Sequence, residues 1–141
     1  MMMKPARCAL RLRQVYGAFG GTVQRLISAF RNSTRAFGRL ARSEAAFRQE
    51  LVLLLLSLPA GWFLASTWRG YALLVGSLVV LMIVEVLNTA VEAACDALSR
   101  EFNADIQLAK DCGSLAVLLA VLLVACVWIL ALAERLGGAL L

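Results

Sequence analysis

Histidine is absent from this chain of 141 residues. Its absence excludes His-based catalytic triads and removes most zinc, haem and copper sites. Charge is also scarce: Asp, Glu, Lys and Arg make up 16% of residues, against about a quarter in soluble domains. No GxxxxGK[ST] string occurs, so the Gly-rich phosphate cradle of soluble nucleotide-binding proteins is missing. The four cysteines show no CxxC spacing and sit mostly in apolar surroundings. A thiolate metal site and a disulfide-stapled secreted fold are both disfavoured, and the cysteines read as small apolar packers. Before residue 21 there is no apolar run of seven, because Arg11 and Arg13 interrupt the candidate. That stretch is not a signal peptide and reads as a loosely ordered basic extension, residues 1–21.

What the chain has in abundance is apolar sequence, 62% of residues with a mean hydropathy of +0.82. Disorder is excluded by that figure, and the length is too small for two large domains. The apolar residues come in blocks. Leu51–Trp68, Gly70–Val84 and Cys112–Ala133 are free of charge over 18, 15 and 22 residues. As helices they cover roughly 27, 22 and 33 Å, against a hydrocarbon core of about 30 Å. The middle run is short unless its helix continues past Glu85 toward Val91, carrying acids to the membrane surface. Three spans cannot close a barrel, so the expected fold is all-α: a surface helix at 22–41 and spans at about 45–68, 70–98 and 109–134, within a domain at 22–134. Ten of the fourteen Lys and Arg residues precede residue 49. Positive-inside counting then puts the N-terminus and the 99–111 loop in the cytoplasm and the C-terminus outside, with Trp62, Trp68 and Tyr71 as interface anchors.

Over residues 22–41, Val23, Leu26, Ile27, Phe30, Phe37 and Ala41 share one side of a helical wheel. Arg25, Arg31, Asn32, Arg35 and Arg39 share the other. That pattern describes a helix in the headgroup plane with its arginines toward anionic lipid; no nucleic-acid partner is expected. The central helix is less easily explained. Glu85, Asn88, Glu92 and Asp96 form one polar stripe about 80° wide. Fifteen apolar residues from the outer edge place Glu85 about 22 Å deep, close to the cytoplasmic boundary. A charge near the bilayer centre costs roughly 2.5–3.5 kcal/mol on insertion scales, so aligned acids need a positive partner. An arginine of the arm is one candidate. A hard divalent cation is a better one, since Mg²⁺ is held by one or two carboxylates plus substrate phosphates. Helix gluing by hydrogen bonds is the competing explanation and the preferred one for Asn88. Lys110 beside Asp111 is consistent with holding a phosphate, or with a snorkelling anchor. Ser43 suits a helix cap, with Glu44 favourable in the first turn. A small oligomeric channel lined by Glu85, Glu92 and Asp96, or a membrane adaptor using the basic arm, also remains open at this point.

Three words carry a resemblance: Ser43-Glu44-Ala45-Ala46-Phe47-Arg48-Gln49-Glu50, then Glu85-Val86-Leu87-Asn88-Thr89-Ala90-Val91-Glu92-Ala93-Ala94-Cys95-Asp96, then Ala109-Lys110-Asp111-Cys112-Gly113-Ser114. In order and separation they resemble the prokaryotic diacylglycerol kinase family over about residues 25–134, and the first word resembles its Gram-negative branch rather than the undecaprenol-using one. The resemblance implies a bacterial inner-membrane kinase that forms homotrimers with shared sites and moves the γ-phosphate of MgATP to diacylglycerol. It makes Glu85 the general base. Glu44 and Glu92 would hold the nucleotide-bound metal. It places the nucleotide against Arg25, Asn32, Glu101, Phe102, Asn103, Lys110 and Asp111, and the lipid against Arg25, Ala46, Phe47, Arg48, Gln49, Glu50, Glu85 and Ser114. Asn88 and Asp96 would support the site. Asn32 and Asn103 depart from the family pattern, which often has an aromatic residue and a histidine there.

Overall fold

The computed structural model describes the backbone of residues 5–99 and 101–138, and the side chains of those from Thr22 onward. The described residues are almost entirely helical and contain no strand. Four helices follow one another: α1 (Pro5–Ser43), α2 (Ala45–Leu64), α3 (Trp68–Leu98) and α4 (Ala104–Gly137). The chain divides after Ser43 into two compact units, α1 and the bundle of the other three helices.

Within the first unit, the helix starts at Pro5 rather than Thr22, so helical backbone extends into the stretch read as a loose extension. The side chains of residues 1–21, Cys8 included, lie outside the described residues. From Thr22 to Thr34 every residue is exposed, which suits a helix whose apolar stripe awaits a membrane surface.

In the bundle, α2, α3 and α4 are each long and apolar enough to cross a membrane. The break between α2 and α3 is only Ala65–Thr67, so these two helices run antiparallel. Thr67 caps α3 by accepting the Gly70 amide at 3.1 Å. Trp62, Trp68 and Tyr71 cluster at this turn, with ring centroids 6.1 and 5.9 Å from Tyr71. Pro59 sits inside α2 without ending it. Proline is tolerated this way in membrane helices when neighbours absorb the freed carbonyl.

Helix α3 is the middle of the bundle, packing on both α2 and α4, which barely meet each other. Inward positions recur at helical spacing: Phe47, Glu50, Ser57 and Gly61 on α2, and Leu74, Leu78, Leu81 and Glu85 on α3. Leu78, Leu81 and Ala120 form the core, flanked by Leu54, Val84, Val117, Val124 and Trp128. The Trp128 indole N–H donates to the Leu74 carbonyl at 3.3 Å, tying α4 to α3. Buried hydroxyls turn back on their own helices, Ser57 to Leu54 and Ser77 to Leu74, both at 2.7 Å. Most of α4 remains exposed, as expected of a helix whose solvent is lipid or another subunit. Of the described cysteines Cys95 is buried, while Cys112 and Cys126 are exposed in the single chain.

Candidate active site

Two boundaries differ from the sequence expectation, and both reshape the site. Ser43 ends α1, and its hydroxyl donates to the Arg39 carbonyl at 3.1 Å instead of capping α2. Glu44 takes the N-cap position of α2, with no side-chain capping bond. The loop expected over 99–111 is shorter: α4 begins at Ala104, so Lys110 and Asp111 are helical. Its cap is Asn103, whose Oδ1 accepts the amides of Asp105 at 2.9 Å and Ile106 at 3.2 Å. Asn103 thus has a folding duty as the cap of α4. Asp105 in the first turn complements the helix dipole.

The polar stripe of α3 is present but does not stay a row of unpartnered acids. Asn88 Nδ2 donates to Glu92 Oε1 at 3.0 Å, one turn along. Asp96 pairs with Lys110 across the α3–α4 seam at 2.5 Å. The sequence offered no cation for this stripe from another span, and read Lys110 with its neighbour Asp111. The helical start of α4 instead turns Lys110 back toward α3, fourteen positions from its partner. Glu85 is 6% exposed, and Thr89 bonds its backbone carbonyl at 3.0 Å. Glu44 and Glu92 both lie within electrostatic range of Glu85, as does Glu50. Glu50 is buried too, and its Oε2 has no hydrogen-bond partner among the described residues.

Two hollows meet these groups. An apolar groove of about 410 Å³ runs between α2, α3 and α4, lined by Leu53, Leu78, Leu81, Val117, Val121 and Val124, with Glu50 and Glu85 toward one end and Ala46 and Gln49 beside them. A second hollow of about 220 Å³ shares Leu53, Leu78 and Val124 and continues to Ala60 and Trp128. Together they make an apolar path whose only charged lining groups are the two carboxylates. At the C-terminal end of α3 a polar pocket of about 480 Å³ is bounded by Asp96, Ser99, Glu101, Phe102, Asn103, Lys110 and Asp111. Five of the residues assigned to nucleotide therefore share one pocket. Phe47 is buried, whereas Arg48 and Ser114 are exposed. Arg25 and Asn32 belong to the other unit, where Asn32 Oδ1 accepts from Arg35 at 2.9 Å.

A profile of prokaryotic diacylglycerol kinase matches residues 31–132. The chain belongs to the prokaryotic diacylglycerol kinase family. A diacylglycerol kinase of Escherichia coli K12 is 36% identical over 113 residues, covering 80% of this chain and 93% of the relative. Those of Haemophilus influenzae and Pseudomonas aeruginosa are each 33% identical, over 73% and 75% of this chain and 87% and 86% of the relatives. A kinase of this family transfers a phosphoryl group, which calls for positive charge against the phosphates. Among the described residues no three His, Cys, Asp or Glu side chains converge into a metal cage. The donors at hand are hard carboxylate oxygens, and the Glu92 oxygen not bonded to Asn88 carries no other hydrogen bond among the described residues. One or two such carboxylates suit a cation that phosphates also hold, so the residues fit Mg²⁺ delivered with its nucleotide.

The sequence pointed to the acids but missed Trp128, Gln107 and Gly113. Trp128 closes the apolar path and Gln107 lines the polar pocket. Gly113 carried a signal, a lone glycine at the i, i+3, i+7 spacing of Lys110, Gly113 and Val117.

Proposed function

We propose that this chain is an ATP-dependent lipid kinase of a bacterial inner membrane, moving the γ-phosphate to the primary hydroxyl of diacylglycerol and releasing phosphatidate and ADP. The observation that carries the reading is the pair of buried carboxylates, Glu50 and Glu85, on a mostly apolar path between helices. An acyl chain fits such a path in shape and polarity, and its headgroup hydroxyl then lies beside Glu85. Glu85 accepts the hydroxyl proton as the oxygen attacks phosphorus, and Glu50 with Gln49 orients the glycerol. Ala46, Phe47, Arg48 and Ser114 complete the lipid side.

Glu44 and Glu92 would hold the magnesium that accompanies ATP, which would neutralise phosphate charge as the phosphoryl group is transferred. The pocket of Glu101, Phe102, Asn103, Lys110 and Asp111 takes the rest of the nucleotide, with Lys110 exchanging part of its Asp96 contact for phosphate. The family resemblance also assigns Arg25 and Asn32 to the nucleotide, and Arg25 to the lipid. The N-terminus and the site face the cytoplasm, where ATP is, and the C-terminus lies outside. The working unit is a homotrimer, in which neighbouring subunits cover the exposed helix faces and share sites. The diacylglycerol name of the relatives favours that acceptor over undecaprenol, and a channel would leave the polar pocket unused.

The test is phosphate transfer from labelled ATP in mixed micelles holding either diacylglycerol or undecaprenol. Magnesium-dependent labelling of diacylglycerol is expected. Labelling of undecaprenol alone assigns the other acceptor, and labelling of neither defeats the kinase reading.

A further inference from the structure

Gly113 of α4 stands directly against Asn88 of α3. A methyl group placed on Gly113 would overlap Asn88 Oδ1 and lie 3.3 Å from its Cγ. Asn88 Oδ1 is buried and accepts no hydrogen bond among the described residues. Its amide nitrogen donates to Glu92 Oε1 at 3.0 Å. The amide is therefore used one-sidedly, with its oxygen laid on the α4 backbone and its donor end presented to a carboxylate. The opposite orientation would set the amide oxygen against the Glu92 oxygens, an unfavourable meeting of acceptors. Leaving a buried acceptor without a donor costs free energy, so something must hold the amide there. The backbone of α4, bare at Gly113, leaves room for the oxygen.

We infer that Gly113 is a positioning residue: its missing side chain lets Asn88 hold one oxygen of Glu92, leaving the other aimed at the cation that accompanies the nucleotide. The inference rests on the proposed role of Glu92. A glycine needed only for close helix approach would behave differently, because alanine there would loosen the seam whatever stood at position 88.

The experiment compares the full chain in detergent micelles as wild type, Gly113→Ala, Asn88→Ala, the double variant and Glu92→Gln. It reads the KM for MgATP against that for diacylglycerol, the thermal midpoint, and the Asn88 side-chain amide resonance in nucleotide-free protein. Gly113→Ala is expected to shift that resonance and to raise the MgATP KM roughly tenfold, the scale of one hydrogen bond to a charged group, with the lipid KM within about twofold. Added to Asn88→Ala it is expected to change neither KM further. An unmoved resonance overturns the inference, and so does an equal loss of thermal stability in both backgrounds without a selective MgATP effect. A moved resonance alongside an unaltered MgATP KM in Glu92→Gln upholds the Gly113–Asn88 device and removes Glu92 from the nucleotide instead. If Gly113→Ala alone does not fold, Asn88→Ser is expected to restore it, since the shorter side chain relieves the overlap. Failure to restore it overturns the inference.

Discussion

The two halves of α3 follow opposite rules. From Leu74 to Leu81 the inward face is leucine and serine, the serine hydroxyl is satisfied on its own helix, and Trp128 locks the neighbour with one hydrogen bond. From Glu85 to Glu92 the inward face carries acids and an amide. There Asn88 Oδ1 has no hydrogen-bond partner among the described residues, nor does Glu50 Oε2 across the groove. One half satisfies its polar groups within the chain, whereas the other leaves two buried oxygens unsatisfied among the described residues. Buried unsatisfied groups are rare in natural proteins, and they concentrate where function sets the sequence.

The largest expected break in this contrast is Glu85→Gln. Loss of a positioned general base lowers turnover by about 10²–10⁴-fold. The substitution keeps shape, so the oligomer is expected to elute unchanged from a sizing column while labelled phosphate transfer collapses. Next comes Lys110→Met at the polar pocket proposed for the nucleotide. With Lys110 38% and Asp96 64% exposed, their pair adds little to folding. The thermal midpoint is therefore expected to hold while the MgATP KM rises about tenfold, the scale of a lost charged hydrogen bond. Leu81→Ala inverts that pattern in the apolar half. It is expected to destabilise by about 2 kcal/mol, the low end for a buried leucine because lipid refills part of the cavity. Thermal inactivation reads the loss, with kcat changing little. The smallest effect belongs to Trp128→Phe, which removes the donor to Leu74 at a cost of about 0.6 kcal/mol, typical of a membrane hydrogen bond. By widening the end of the apolar path it is also expected to shift preference toward longer acyl chains, measurable in a substrate series.

The same contrast explains what the sequence made legible. Three uncharged runs announced three spans, because lipid demands helices of a minimum length. The Glu85–Asp96 stripe followed from helical period alone. Both depend on one element at a time. The start of α4 at Ala104 was hidden because a polar run reads as loop, although Asn103 followed by Asp105 is a capping signal. Ser43 ends α1, which leaves Glu44 as the N-cap of α2. The Asp96–Lys110 pair and the Asn88–Gly113 contact were out of reach, since each depends on which face α4 turns to α3.

The most direct test is the magnesium titration of phosphate transfer by the chain with Glu44→Gln and Glu92→Gln combined. The expected result is a collapse of turnover, with whatever activity remains needing far more magnesium. Wild-type speed at the wild-type magnesium requirement would contradict the assignment of these acids to the metal-bound nucleotide.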